Sequence, residues 1–163
     1  MNKILIVYHS RTGNTEKMAG YVKDGAEEAG ALVILKRAEE TSPEDMNTAD
    51  AVIIGSPTYY GLPAAEIISL IDSSVKFHGE FEGKVGGAFA SSGNKGGGNE
   101  TTIMAIIQAL LIHGMIIPGS SKGDHYGPVS VGKPDEDVRI QCVSLGKRIV
   151  RITSILKESN NKD

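Results

Sequence analysis

Five short apolar runs are the feature that most limits what this chain can fold into. They lie at residues 4–7, 32–35, 51–54, 85–90 and 115–117, are rich in Val and Ile, and do not alternate with polar residues. Strands that are apolar on both faces are typical of a parallel sheet covered by helices, whereas strands with one solvent-exposed face alternate apolar and polar residues. Each run therefore predicts a strand of a buried parallel sheet.

Longer amphipathic stretches separate these runs. Apolar residues recur at helical spacing after Thr15, after Pro63, before Gly114 and from Val138 to Leu156, whereas residues 42–46 allow at most a short helix. Strands that alternate with helices, joined by right-handed crossovers, predict an α/β sandwich with helices on both faces of a five-stranded sheet. Ligands of such sheets bind beyond the carboxyl ends of the strands.

Length and composition exclude several classes of protein. A chain of 163 residues predicts one domain over residues 1–163, with a polar tail from about residue 157. The net charge of −3 argues against a nucleic-acid partner, and no apolar run approaches the length of about 18 residues that a membrane span needs. The single cysteine, Cys142, lies on a core-facing helical stripe, and we predict no metal site. We expect a soluble, cytoplasmic protein without a membrane partner.

The segment after the first strand has the composition of an anion-binding loop. Residues 10–15 read Ser-Arg-Thr-Gly-Asn-Thr and lead into a helix, whose free N–H groups and dipole favour a phosphate. Neither the nucleoside-triphosphate loop GxxxxGK[ST] nor the dinucleotide pattern GxGxxG is present. The same residues could instead be an ordinary helix cap, and Arg11 could either bind phosphate or point into solvent.

Two further loops have the composition of ligand-binding segments. Residues 55–63 contain Tyr59 and Tyr60 between prolines and glycines, which predicts a rigid aromatic platform for a flat ring, although the tyrosines could simply pack against the protein. Residues 93–98 contain four glycines, which let backbone amides approach a planar ligand, although a flexible loop is the alternative. Aspartates at the strand ends, which a phosphoacceptor domain would need, are missing after strands one and three.

Taken together, these three loops resemble those of flavodoxin-fold FMN proteins, and segments 55–61, 91–100, 113–115 and 126–127 are most similar to the WrbA-type NAD(P)H:quinone oxidoreductases. The resemblance implies a flavodoxin-like three-layer sandwich with strand order 2-1-3-4-5 and non-covalently bound FMN. It also implies reduction of quinones by NADH or NADPH, and a dimer or tetramer. The cofactor-binding residues it implies are Ser10, Arg11, Thr12, Gly13, Asn14, Thr15, Pro57, Thr58, Tyr59, Tyr60, Gly61, Ser91, Ser92, Gly93, Asn94, Gly97 and Tyr126.

The segment 119–134 is long and shows no obvious element of its own, which is typical of functional loops. The resemblance places His125 and Tyr126 on the substrate side of the flavin as the catalytic candidates. The stretch between Pro118 and Tyr126 is shorter than in typical WrbA-type proteins, so substrate and subunit contacts built from it stay open. Two other functions remain: a flavodoxin-type carrier that passes electrons between redox protein partners, and a flavin-free regulatory module.

Overall fold

The sheet is buried on both faces, as the apolar runs predict. In the computed structural model, which describes residues 1–160, the side chains of the first strand alternate between two hydrophobic cores. Ile4 and Ile6 belong to one core, and Leu5 and Val7 belong to the other. Because both faces of the strand are covered, positions 4–7 are all apolar.

Five parallel strands form the sheet, and a sixth, very short strand pairs with one of them. The strands are β1 (Lys3–Tyr8), β2 (Leu32–Arg37), β3 (Ala51–Tyr59), β4 (Leu62–Pro63), β5 (Val85–Ser92) and β6 (Val129–Val131). The order is β2-β1-β3-β5-β6 with parallel pairing throughout, and β4 pairs antiparallel with the end of β3. Apart from β4, this is the predicted order 2-1-3-4-5.

Helices cover the two faces of the sheet. They are α1 (Asn14–Glu28), α2 (Pro43–Thr48), α3 (Ala65–Ser73), α4 (Asn99–Ile112) and α5 (Glu136–Asn160), with 3₁₀ turns at Ala38–Glu40 and Ser74–Phe77. Met18 of α1 and Cys142 of α5 share one core, while Met46, Ile67 and Ile103 of the other three helices share the second. The result is the predicted three-layer sandwich. None of the helices within residues 1–160 has both the length and the apolar character that a membrane crossing requires.

The edge strand differs from the prediction. Residues 115–117 form no strand, since only Ile116 pairs, with Val85, and the edge strand is β6, which pairs with Ala90–Ser92. The segment 118–128 lies between these two pairings along the chain, so the pairing at this edge of the sheet is interrupted. The prediction of no element in 119–134 is therefore wrong: β6 has only three residues, with polar Ser130 in the middle, which is too short for a periodic signal.

The carboxyl end of the described chain is helical. α5 continues to Asn160, so the polar stretch from residue 157 belongs to this helix as far as the structure describes it. The part of the predicted tail at residues 161–163 lies outside the described residues.

Candidate functional site

The loop after β1 presents the uncapped amino end of α1. Gly13, at φ +90°, is the N-cap, and no side chain caps the helix. No acceptor within residues 1–160 pairs with the backbone N–H groups of Asn14, Thr15 and Glu16. The Ser and Thr residues of this loop therefore do not act as the helix cap, and the free N–H groups together with the helix dipole favour an anion.

Contacts on its inner side fix the shape of this loop. Ser10 is buried, its Oγ accepts the N–H of Gly13 at 3.1 Å, and its carbonyl oxygen accepts from Nη2 of Arg37 at 2.7 Å. Thr12 is exposed. A loop whose backbone is held in this way presents its free N–H groups in one arrangement.

The second segment is a tight hairpin between β3 and β4. Tyr60 and Gly61 form its turn at φ +53° and +77°, the pattern of a type I′ turn. Tyr60 is fully exposed, whereas Tyr59 is half-buried. Neither tyrosine belongs to the core, so the hairpin presents aromatic surface at the end of the sheet. The Oγ1 of Thr58, before the turn, is buried and has no hydrogen-bond partner within the described residues.

The third segment, residues 93–98, joins β5 to α4 and folds onto itself. The N–H of Gly97 donates to the carbonyl of Asn94 at 3.1 Å, and Oγ of Ser92 donates to the same carbonyl at 3.0 Å. Nδ2 of Asn99 donates to Ser92 Oγ at 3.3 Å. These bonds make the segment an ordered turn, whereas a flexible loop was the alternative from sequence.

Contacts between side chains and backbone join the three segments pairwise. Oγ1 of Thr15 lies 2.9 Å from Oγ of Ser91, which connects the first segment to the third. The guanidinium of Arg11 lies 4.5 Å from the ring centroid of Tyr59, which connects the first to the second. Oγ1 of Thr101, in α4, lies within hydrogen-bond distance of the carbonyl oxygens of Gly61, at 2.7 Å, and Gly98, at 2.9 Å, which connects the second to the third.

We call these three segments, residues 10–15, 57–61 and 91–98, the rim. The sequence places them at one edge of the sheet, and the structure brings them into contact there. Arg11 is exposed and stacks on Tyr59, an arrangement that neither sequence alternative included. The role of Thr101 was missed, because no spacing pattern relates a helix residue to a turn 40 positions away.

The edge segment, residues 118–128, is held mainly by its own contacts and by β5. Tyr126 is about half exposed, and Gly127 beside it packs on the backbone of Ala88. His125 is exposed, and its Nδ1 lies 2.8 Å from the carbonyl oxygen of Ser120 in the same segment. The two predicted catalytic residues therefore lie beside β5, and the hydrogen bond of the His125 ring stays within its own loop.

Asp124 anchors the edge segment to β6. Its Oδ2 accepts the N–H of Val129 at 2.8 Å, and its own N–H donates to Oε1 of Gln141. Burial raises the pKa of Asp124 above its ordinary value, and the nearby charge of Glu100 adds to this, while the bond from Val129 opposes it. The anchor is therefore a carboxylate whose charged form is disfavoured by its surroundings.

A doubly wound sheet whose loops meet at the carboxyl ends of its strands defines a ligand-binding α/β protein. Residues 6–110 match the family model for flavodoxin. A relative named NAD(P)H dehydrogenase (quinone), from Archaeoglobus fulgidus, is 35% identical over 190 aligned positions, covering 96% of this chain and 100% of the relative. A relative named flavodoxin, from Aquifex aeolicus, is 36% identical over 171 positions, covering 99% of this chain and 92% of the relative.

Solved structures agree with these relationships. The crystal structure of a flavodoxin, WrbA-like protein from Agrobacterium tumefaciens has a TM-score of 0.78 and 25% identity, covering 94% of this chain and 98% of that one. The chain belongs to the flavodoxin family, and its fold is the flavodoxin-like sandwich.

Proposed function

We propose that this protein is an FMN-dependent oxidoreductase that transfers two electrons from NADH or NADPH to a quinone. The observation that carries the proposal is the rim, in which an uncapped helix end, an aromatic hairpin and a glycine-rich turn are in mutual contact. Relatives named NAD(P)H dehydrogenase (quinone) at 35–37% identity support the choice of reaction.

The residues of the rim fit FMN in two respects. The unpaired N–H groups of Asn14, Thr15 and Glu16 suit a phosphate, since they offer donors and a positive dipole end without requiring a lysine. The buried, unpartnered hydroxyl of Thr58 and the exposed backbone around Gly93 suit a ring with polar edges, because both have unused hydrogen-bonding capacity. When bound, FMN supplies the two-electron chemistry that no side chain of this protein can supply.

In this proposal each segment of the rim has one task. The residues of the loop after β1 bind the phosphate, the hairpin lines one edge and one face of the ring, and the third segment lines the other side. Tyr126 and His125 lie on the substrate side. The sets are Ser10, Arg11, Thr12, Gly13, Asn14 and Thr15; Pro57, Thr58, Tyr59, Tyr60 and Gly61; and Ser91, Ser92, Gly93, Asn94 and Gly97.

A spectroscopic and a kinetic measurement test the proposal. The purified protein should take up FMN with a shift in the flavin absorbance spectrum, and the loaded protein should oxidise NADH or NADPH when a benzoquinone is added. Uptake of FMN without turnover with either nucleotide would contradict the enzymatic role. A protein that takes up no FMN would contradict the cofactor and favour a regulatory module.

A second candidate, a carrier that passes electrons between proteins, is favoured by one observation. The relative named flavodoxin aligns with 99% of this chain over 171 positions, whereas the alignment with the Archaeoglobus relative extends over 190 positions and therefore contains more insertions relative to this chain. Against the carrier, exposed Arg11 and Lys95 at the rim offset exposed Glu16 and Glu100, whereas electrostatic docking of a carrier relies on charge of one sign. The carrier would be reduced by a partner reductase and would show no direct turnover with nicotinamide nucleotides.

The assembly of the protein is part of the same proposal. We expect a dimer or tetramer, in which a neighbouring subunit could complete the substrate side of the rim. Size-exclusion chromatography with light scattering measures the mass directly, and a monomer at working concentration would contradict this expectation.

A further inference from the structure

A buried histidine lies between two carboxylates beside the rim. His9 follows β1 directly, is only 4% exposed, and precedes the first residue of the phosphate-binding loop. Its Nδ1 lies 2.8 Å from Oε1 of Glu39, in the 3₁₀ turn after β2, and its Nε2 lies 3.6 Å from Oε2 of Glu66, in the first turn of α3. Three separate segments of the chain therefore contribute one polar side chain each to a single cluster.

The bond to Glu39 sets the orientation of the imidazole. An ionised carboxylate only accepts hydrogen bonds, so Nδ1 carries the proton that it accepts. The second nitrogen, Nε2, then directs its lone pair towards Glu66. Histidines that bind a metal through one ring nitrogen usually donate the N–H of the other nitrogen to a carboxylate, as His9 does to Glu39.

Two acceptor atoms face each other without a partner at the far side of the ring. Nε2 of His9 and Oε2 of Glu66 are both buried, and neither has a hydrogen-bond partner within the described residues. Their separation of 3.6 Å is too long for a direct hydrogen bond. An ion bonded to both atoms at about 2.1 Å would have an Nε2–metal–Oε2 angle of about 120°, near the tetrahedral value.

A cavity borders the two glutamates of this cluster. It has a volume of about 480 Å³ and is lined by Glu39, Glu66, Thr41, Ser69 and Ser73 among others. One nitrogen of His9 and one oxygen of each glutamate all lie within 4.8 Å of one another, so the two carboxylates of the cluster are also cavity walls.

We propose that His9 and Glu66 bind a divalent transition-metal ion of the zinc class, with Glu39 as the residue that orients His9. Imidazole with carboxylate is a ligand set for zinc, cobalt or nickel rather than for calcium or magnesium. The ion would tie the end of β1 to the start of α3 directly beneath the phosphate-binding loop. The sequence predicts no metal site, because its single cysteine excludes thiolate clusters and the three residues of this cluster are far apart in the sequence.

Calorimetric titration with zinc chloride tests this site, using the protein as purified, first stripped with a chelator and kept in phosphate-free buffer. Wild-type protein should bind one ion, and the ion should raise its melting temperature. His9→Ala and Glu66→Gln should each lose at least tenfold in affinity, and Glu39→Gln about tenfold to a hundredfold, the usual effect of removing the group that orients a ligand. His78→Ala, which removes an exposed histidine elsewhere, is the matched control and should bind as wild type does.

The outcomes separate this proposal from simpler explanations. Affinity that survives His9→Ala, or falls equally in His78→Ala, would show binding at surface side chains and overturn the site. Absence of binding at millimolar zinc would also overturn it. Circular dichroism of each variant excludes misfolding, and nitrogen NMR of the His9 ring reports directly whether Nε2 is metal-bound. The titration does not depend on FMN, so its result is independent of the proposed activity.

Discussion

The rim and the edge segment lie next to each other but are stabilised in different ways. The three parts of the rim are joined by contacts between residues far apart in the sequence, such as Thr15 with Ser91 and Thr101 with Gly61. The edge segment is held mostly by short-range bonds, such as His125 with Ser120 and Asp124 with Val129, by one bond from Asp124 to Gln141 of α5, and by the packing of Gly127 on β5. Changes at the contacts between rim segments should therefore alter stability and flavin affinity together, while changes in the packing of the edge segment, away from His125 and Tyr126, should alter stability alone.

Gly127→Ala should have the largest effect. The added Cβ would lie 2.0 Å from the carbonyl oxygen of Ala88, which is backbone and cannot rotate away. We expect the free energy of unfolding to fall by about 3 kcal/mol, the upper end of the usual cost of overpacking. Urea denaturation measures this change, and FMN affinity of the folded protein should stay near the wild-type value.

Gly119→Ala is the matched control within the same segment. Its Cβ would lie 3.6 Å from the nearest atom, the carbonyl oxygen of His125, which is an ordinary contact. We expect a change in stability of less than about 0.5 kcal/mol. Equal stability of the two variants would show that Gly127 does not pack on β5.

Gly98→Ala should have the next largest effect, and it should affect stability and binding together. Gly98 has φ +92°, and an added Cβ would lie 2.6 Å from Cα of Gly61 in the hairpin. We expect a loss of about 2 kcal/mol in stability from strain and crowding, together with weaker FMN binding, because the two segments separate. Denaturation and fluorescence titration with FMN measure the two effects.

Gly93→Ala is the matched control for Gly98→Ala. It adds a methyl group to the same loop at a position that has neither the positive φ nor the crowding of Gly98. Its Cβ would meet nothing within 4 Å. Its stability should match that of the wild type. If Gly98→Ala lowered stability but left FMN affinity unchanged, the coupling of stability and binding in the rim would be contradicted.

Tyr60→Asn should change stability and binding in opposite directions. Tyr60 occupies the left-handed region at φ +53°, where Asn is tolerated better, and Asn-Gly is a favoured pair for this turn. We expect a gain in stability of up to about 1 kcal/mol and, because an aromatic contact of about 1 kcal/mol is lost, roughly fivefold weaker FMN binding. Tyr60→Phe keeps the ring and should change neither quantity. Unchanged affinity in Tyr60→Asn would remove Tyr60 from the residues that contact the flavin.

Asp124→Asn should have the smallest effect, visible as a change in pH dependence. The pKa of Asp124 in the folded protein is raised above its ordinary value of 3.8, mainly by burial. The folded state therefore holds this proton more tightly than the unfolded state, and its contribution to stability is lost as the pH rises through the folded pKa. Asn has no proton to lose and can still accept the N–H of Val129, so the variant should be the more stable protein at neutral pH.

Thermal melts between pH 3 and pH 8 measure this difference. The advantage of Asp124→Asn over wild type should shrink as the pH falls towards 3.8, where both proteins carry a neutral side chain. The exposed Asp137→Asn in α5 is the matched control. An advantage independent of pH would show that the charge of Asp124 is not its cause.

The comparison of rim and edge also shows where sequence reasoning succeeds. Residues 10–15, 55–63 and 93–98 are predicted to meet at one edge of the sheet because glycine, proline, hydroxyl and aromatic residues between apolar runs are local signals, and the structure brings these loops into contact. The edge strand was misplaced because the run at 115–117 has the composition of a strand, whereas the short β6 does not. Pairing along an edge depends on where the chain returns to the sheet, which local composition does not encode.

Sequence patterns alone determined the layers and the three loops, because burial on both faces requires apolar runs and turns require particular residues. The order of the strands was implied by the resemblance to flavodoxin-fold proteins. Only the tertiary structure decided that Arg11 stacks on Tyr59, that Thr101 braces the hairpin, and that His9 lies between Glu39 and Glu66. Each of these contacts joins residues from different loops. Their distances follow from how the helices and strands pack together, which no pattern of neighbouring residues specifies.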